Sequence, residues 1–102
     1  MPDLRRILRE CFWDHDVSEA DLLAILEGDD VRRKRFLFEK ILGNSTRLLD
    51  DMSLFGRDEL KKMLEEYQVP AFNREHIALR KNMVEAWFFD QPLTAEELRW
   101  VL

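Results

Sequence analysis

Apolar side chains recur along this chain at intervals of three and four residues, and no stretch alternates convincingly with a period of two. That spacing gathers them on one face of an α-helix and offers a strand nothing to bury. A first helix is predicted over residues 3–11, with Pro2 at its start and Leu4, Ile7, Leu8 and Cys11 on one face. The segment Phe12-Trp13-Asp14-His15-Asp16 interrupts it. Ser18-Glu19-Ala20-Asp21 then resembles an N-cap followed by acidic residues in a first turn, where the helix dipole favours them. Leu22, Leu23, Ile25 and Leu26 supply that helix's apolar stripe, and Gly28 terminates it.

Asp29 and Asp30 cap a third helix over residues 31–42, carrying Val31, Leu37, Phe38, Ile41 and Leu42 at helical spacing until Gly43-Asn44. Ser45 or Thr46 is placed to cap a short fourth helix bearing Leu48, Leu49, Met52 and Leu54. A fifth begins at Gly56 and turns Leu60, Met63, Leu64 and Tyr67 inward. Pro70, which lacks a backbone donor and disfavours helix at Val69, forces an interruption. Asn73 caps a long sixth helix to Phe88 or Phe89, with Ile77, Val84, Trp87 and Phe88 along one side and Leu79, Met83 and Ala86 widening it. After Pro92, Thr94-Ala95-Glu96-Glu97 has capping-box spacing and opens a terminal helix ending Trp100-Val101-Leu102. The expected fold is therefore all-α: one domain spanning residues 1–102, a compact bundle of six to seven short helices. The pair flanking Pro70 is open to a helix-turn-helix reading.

Composition supports a folded chain. Of 102 residues, 46% are hydrophobic and 36% charged, so there is core material together with a charged coat. The net charge of −5 argues against a dedicated nucleic-acid binder. Its distribution is uneven: residues 14–30 hold −7 with no Lys or Arg, and residues 31–47 hold +5. Such blocks arise from pairing between neighbouring helices, or mark acidic and basic docking surfaces. With Cys11 the only cysteine, no intrachain disulfide can form, and a reducing compartment is expected. No apolar run reaches the roughly 20 residues of a membrane span, and no signal-peptide core is present, so the expected location is cytoplasmic without membrane contact.

Candidate chemistry is sparse. Cys11 and His15, one helical turn apart and beside Asp14 and Asp16, form the best metal-ligand cluster. Zinc, however, needs three or four protein ligands, and His76 is the only other histidine. A turn whose aspartates cap the next helix explains the cluster better. Gly43-Asn44-Ser45 with Asp50-Asp51 imitates a nucleotidyltransferase Gly-Ser and paired-acid motif, but that chemistry needs its acids fixed on strands. Helix stop followed by helix start accounts for it. Neither a phosphate loop nor a metalloprotease or hydrolase motif occurs. No catalytic residue, cofactor or metal site is assigned.

Binding surfaces are better represented. Arg32-Arg33-Lys34-Arg35 is a basic run, yet four consecutive helical residues spread around the helix and read as a solvated face. In the helix-turn-helix reading Arg74, His76, Arg80 and Lys81 would face a major groove. Two antiparallel bundle helices give the same pattern. Phe12-Trp13, Trp87-Phe88-Phe89 and Trp100 exceed what single faces can bury, because adjacent helical residues point about 100° apart. They divide between a broad aromatic core and a contact surface for a partner or a second copy.

Residues 4–16, ending Cys11-Phe12-Trp13-Asp14-His15-Asp16, resemble the opening of a small, uncharacterised bacterial helical domain family with an aromatic-Trp-Asp-x-Asp signature. The similarity runs on through Lys34-Arg35-Phe36-Leu37-Phe38-Glu39-Lys40-Ile41-Leu42, the Asp58-Glu59-Leu60 helix start and the aromatic helix around Trp87. It covers most of residues 4–89. Members are often encoded beside a nucleotidyltransferase-like toxin, so the resemblance implies an antitoxin-like role and carries over no catalytic residue. The leading expectation is a non-catalytic protein-binding module contacting its partner through an acidic face (Asp14, Asp16, Glu19, Asp21) and exposed aromatics (Trp13, Trp87, Trp100). The alternative is a helix-turn-helix DNA-binding regulator using Arg74, His76, Arg80 and Lys81.

Overall fold

The computed structural model describes residues 3–13 and 15–92. Among these there are six α-helices and no strand, as the period of the apolar positions requires. The predicted terminal helix and Trp100 lie outside the described residues, as does Asp14. The chain divides into two compact units, Met1–Phe55 and Gly56–Leu102.

In the first unit, α1 (Leu4–Cys11) is capped by Asp3, whose carboxylate accepts from the amides of Arg5 (3.0 Å) and Arg6 (3.4 Å). The second helix, α2 (Glu19–Glu27), starts with a capping box: the Asp21 amide donates to Ser18 Oγ, and the Ser18 amide donates to Asp21. Next, α3 (Val31–Asn44) is capped by Asp30. It continues two residues past the predicted stop at Leu42, because Gly43 is accommodated and Asn44 Nδ2 donates to the Lys40 carbonyl. A single turn, α4 (Leu48–Met52), follows.

The core of this unit is built from Ile7 and Cys11 of α1, Leu22 of α2, Phe38 and Ile41 of α3 and Met52 of α4, all essentially fully buried. Helix α3 packs on α1, α2 and α4, so it is the central element. Two predicted stripe positions point outward instead. Leu23 is 46% exposed and Val31 55%. Leu23 follows the buried Leu22 by about 100° of helical rotation, and Val31 is the first residue of α3.

The start of α4 also departs from expectation. Arg47 is the N-cap residue, and no side chain caps the helix. Both predicted capping hydroxyls are engaged by carboxylates, that of Asp51 within α4 itself and that of Glu10 on α1. Ser45 donates to the fully buried Asp51, and Thr46 donates to Glu10 through its hydroxyl (2.6 Å) and its amide (3.1 Å). Arg6 completes the network by donating to Asp51 and to Glu10 (2.7 Å). One ion-paired cluster therefore ties α1 to the α3–α4 junction, with a buried charge matched by hydrogen-bond donors.

In the second unit, α5 (Arg57–Glu66) begins at Gly56 and α6 (Arg74–Phe89) follows a connection over residues 67–73; the two pack together. Leu60, Met63 and Leu64 of α5 are buried as predicted. On α6 only Val84 and Asn82 are buried, and Asn82 Nδ2 donates to the Pro92 carbonyl (3.1 Å). Trp87, placed by its spacing on the inner side of α6, is 70% exposed. Asn73 is the N-cap residue but makes no side-chain cap bond; it takes a left-handed conformation, φ 54°.

Candidate partner-binding surface

The interruption after α1 is organised around the buried ring of Phe12 and the exposed ring of His15. Helix α1 ends at Cys11, and Phe12 turns into the core at 3% exposure. The His15 amide donates to the Phe12 carbonyl at 2.9 Å, closing a turn. The Phe12, His15 and Phe36 rings then meet pairwise, with centroids 5.6–6.0 Å apart, mostly edge to face. This cluster pins the loop to α3. Trp13 directly follows the buried Phe12 and is 76% exposed.

The same geometry disposes of the Cys11–His15 pairing on one helical face. The helix stops at Cys11, whose side chain lies in the core, while His15 stands on the aromatic cluster. Among the described residues no three His, Cys, Asp or Glu side chains converge to hold a metal ion. Ser45 and Asp51, from the Gly-Ser and paired-acid segment, are spent on the buried network with Arg6.

The predicted acidic face is not a uniform free surface. Asp16 is exposed. Glu19 accepts from Arg5 Nε at 2.8 Å, and Asp21 is occupied by the capping box. Hydrogen bonds from Ser18, helped by the positive charge of Arg33, hold Asp21 below the usual carboxylate range. Two of the four acids thus have local structural roles.

Between α2 and α3 runs an open groove of about 360 Å³, lined by Val17, Ala24, Ile25 and Phe36, with Asp21, Arg32 and Arg33 at its edges. Its walls are mainly apolar. Phe36, 41% exposed, keeps one edge against Phe12 and His15 and lies beneath the Lys40 ammonium, 5.6 Å from the ring centre. Sequence reasoning missed this groove. Its one signal was Phe36, an aromatic off the apolar repeat of its helix. Phe72, 79% exposed in the connection between α5 and α6, was missed likewise.

Of the residues assigned to DNA contact, Arg74 and His76 are exposed in the first turn of α6, whereas Arg80 and Lys81 are half-buried. Lys81 donates to Glu85 at 3.0 Å, and both side chains are 19% exposed, so its charge is already matched. The connection over residues 67–73 is also longer than the three or four residues usual for a helix-turn-helix. In the last turn of α6 the Arg57 guanidinium stacks 5.3 Å from the Phe89 centroid, while Trp87 projects outward. No helix among the described residues is long and apolar enough to cross a membrane.

No family model, curated protein or solved structure matches this chain. The resemblance through Phe12-Trp13-Asp14-His15-Asp16 therefore stands on those residues alone.

Proposed function

We propose that this chain is a protein-binding module with no chemistry of its own, acting in the bacterial cytoplasm as the antitoxin-like partner of a nucleotidyltransferase-type toxin. One observation carries the reading. Trp13 is 76% exposed directly after Phe12, whose buried ring packs against those of His15 and Phe36. A large apolar ring left in water contributes little to folding, and tryptophan is among the residues that dominate binding energy at interfaces. The signature around Trp13 supplies the antitoxin-like part of the proposal.

The test is co-expression with the product of the neighbouring gene, followed by size-exclusion chromatography at micromolar concentration. Co-elution that is lost with Trp13→Ala supports the reading, and separate elution of the two wild-type proteins overturns it. Salt-dependent retention on DNA, abolished by reversing the charge of Arg80 and Lys81, would favour a DNA-binding regulator instead.

A further inference from the structure

We propose that the groove between α2 and α3 receives an acidic amphipathic helix from the partner protein. This rests on the partner-binding reading and specifies a second contact within it. Val17, Ala24, Ile25 and Phe36 form a continuous apolar floor that the chain leaves open to water. Phe36 is fixed from behind by Phe12 and His15, so that wall is preformed.

The charges around the floor select the occupant. The Arg32 guanidinium has no ion-pair partner among the described residues; only the Arg32 amide is engaged, by the Asp30 cap. Arg33 reaches Asp30 at 3.5 Å, with the two side chains 71% and 54% exposed, a weak surface pair. Asp21, the one acid in the lining, is hydrogen-bonded to Ser18 and offsets part of the Arg33 charge. An apolar floor edged by two exposed guanidinium groups, Arg32 without an ion-pair partner among the described residues and Arg33 only weakly paired, matches a helix with apolar side chains at i, i+3 and i+4 and carboxylates beside them. A basic helix would set ammonium groups against Arg32 and Arg33, which opposes docking.

The experiment titrates the isotope-labelled full chain with two synthetic amphipathic helical peptides by NMR. They share one apolar face and carry either Glu or Lys on its flanks. The acidic peptide is expected to shift Val17, Ala24, Ile25 and Phe36 at low salt and to bind about tenfold more tightly than the basic one. The double variant Arg32→Glu, Arg33→Glu should reverse that preference, and Ala24→Trp, which fills the groove from an exposed position, should block both peptides. Equal binding of the two peptides, no binding of either at millimolar concentration, or shifts mapping elsewhere overturns the proposal. So do groove shifts that grow with the chain's own concentration, since a second copy would then be the occupant. Partner capture separates this proposal from its parent. If co-elution survives Arg32→Glu, Arg33→Glu but not Trp13→Ala, the groove assignment fails while the binding function stands. If the wild-type chain captures nothing, the parent reading fails.

Discussion

Removing the Asp51 carboxylate gives the sharpest check on how the first unit is held together. Asp51 is fully buried, accepts from Arg6 and Ser45, and has no access to water. Asp51→Ala removes the carboxylate that accepts from the Ser45 hydroxyl and from one Arg6 nitrogen. Breaking a buried ion pair from one side typically costs about 3–5 kcal/mol. The lower end applies here, because Arg6 keeps Glu10 at 2.7 Å and Ser45 Oγ still accepts from the Arg47 amide at 3.0 Å. A loss of about 3 kcal/mol is large against the roughly 5–15 kcal/mol of a typical domain. Urea denaturation followed by far-ultraviolet circular dichroism reads it directly. With a slope of about 1–3 kcal/mol per molar urea, the midpoint should fall by about 1–3 M. The apolar double replacement Arg6→Met, Asp51→Leu should be destabilised by less than the two single changes together, since no unpaired charge remains between the sites. The reasoning is refuted if Asp51→Ala costs under about 1 kcal/mol, or if the single changes add to within about 0.5 kcal/mol.

Four further outcomes are expected. Burial pushes Glu10 up, but hydrogen bonds from Thr46 and Arg6 outweigh it and hold the group below the usual 4.5. A carboxylate depressed in the fold contributes its full stability above the unfolded value and loses it as pH falls through the folded one, so acid titration of stability should be shallower in Glu10→Gln below about pH 4.5. Phe38→Ala, at a site with no exposure and edge-on to Phe55, should cost about 3–5 kcal/mol in the same urea experiment. Asp90→Gly should raise the melting temperature, because Asp90 sits left-handed at φ 54° and carries a negative charge at the C-terminus of α6; the gain is about 1 kcal/mol. Trp13→Ala should leave stability within about 0.5 kcal/mol while weakening partner capture at least tenfold, and an equal loss of both would assign the ring to the fold instead.

The candidate surface was only partly legible in the sequence. Trp13 and Trp87 were singled out because neighbouring aromatics cannot share one helical face, and both are exposed. Glu19 and Asp21 were grouped with Asp16 as one acidic face, yet Arg5 and Ser18 engage them. A charge count contains no information on which acids are already paired. The groove was invisible for a related reason: Val17 lies before α2, Ala24 and Ile25 on it and Phe36 on α3, and only packing brings them to one surface.

What the sequence by itself determined was the local layer. The apolar period called for helices, and Asp3, Ser18 and Asp30 start three of them because a short polar side chain can reach the free amides of a first turn without help from the rest of the chain. Tertiary structure decided the matters that depend on distant partners. Thr46 had the chemistry of a cap, but Glu10, 36 residues away, came within reach and took its hydroxyl, while the Ser45 hydroxyl turned to Asp51 inside α4, buried beside Arg6 of α1. Leu23 and Val31 had the polarity of core residues, but the described helices leave them exposed. A hydrogen bond or an apolar contact goes to whichever group packing brings close, and that proximity is a property of the assembled helices.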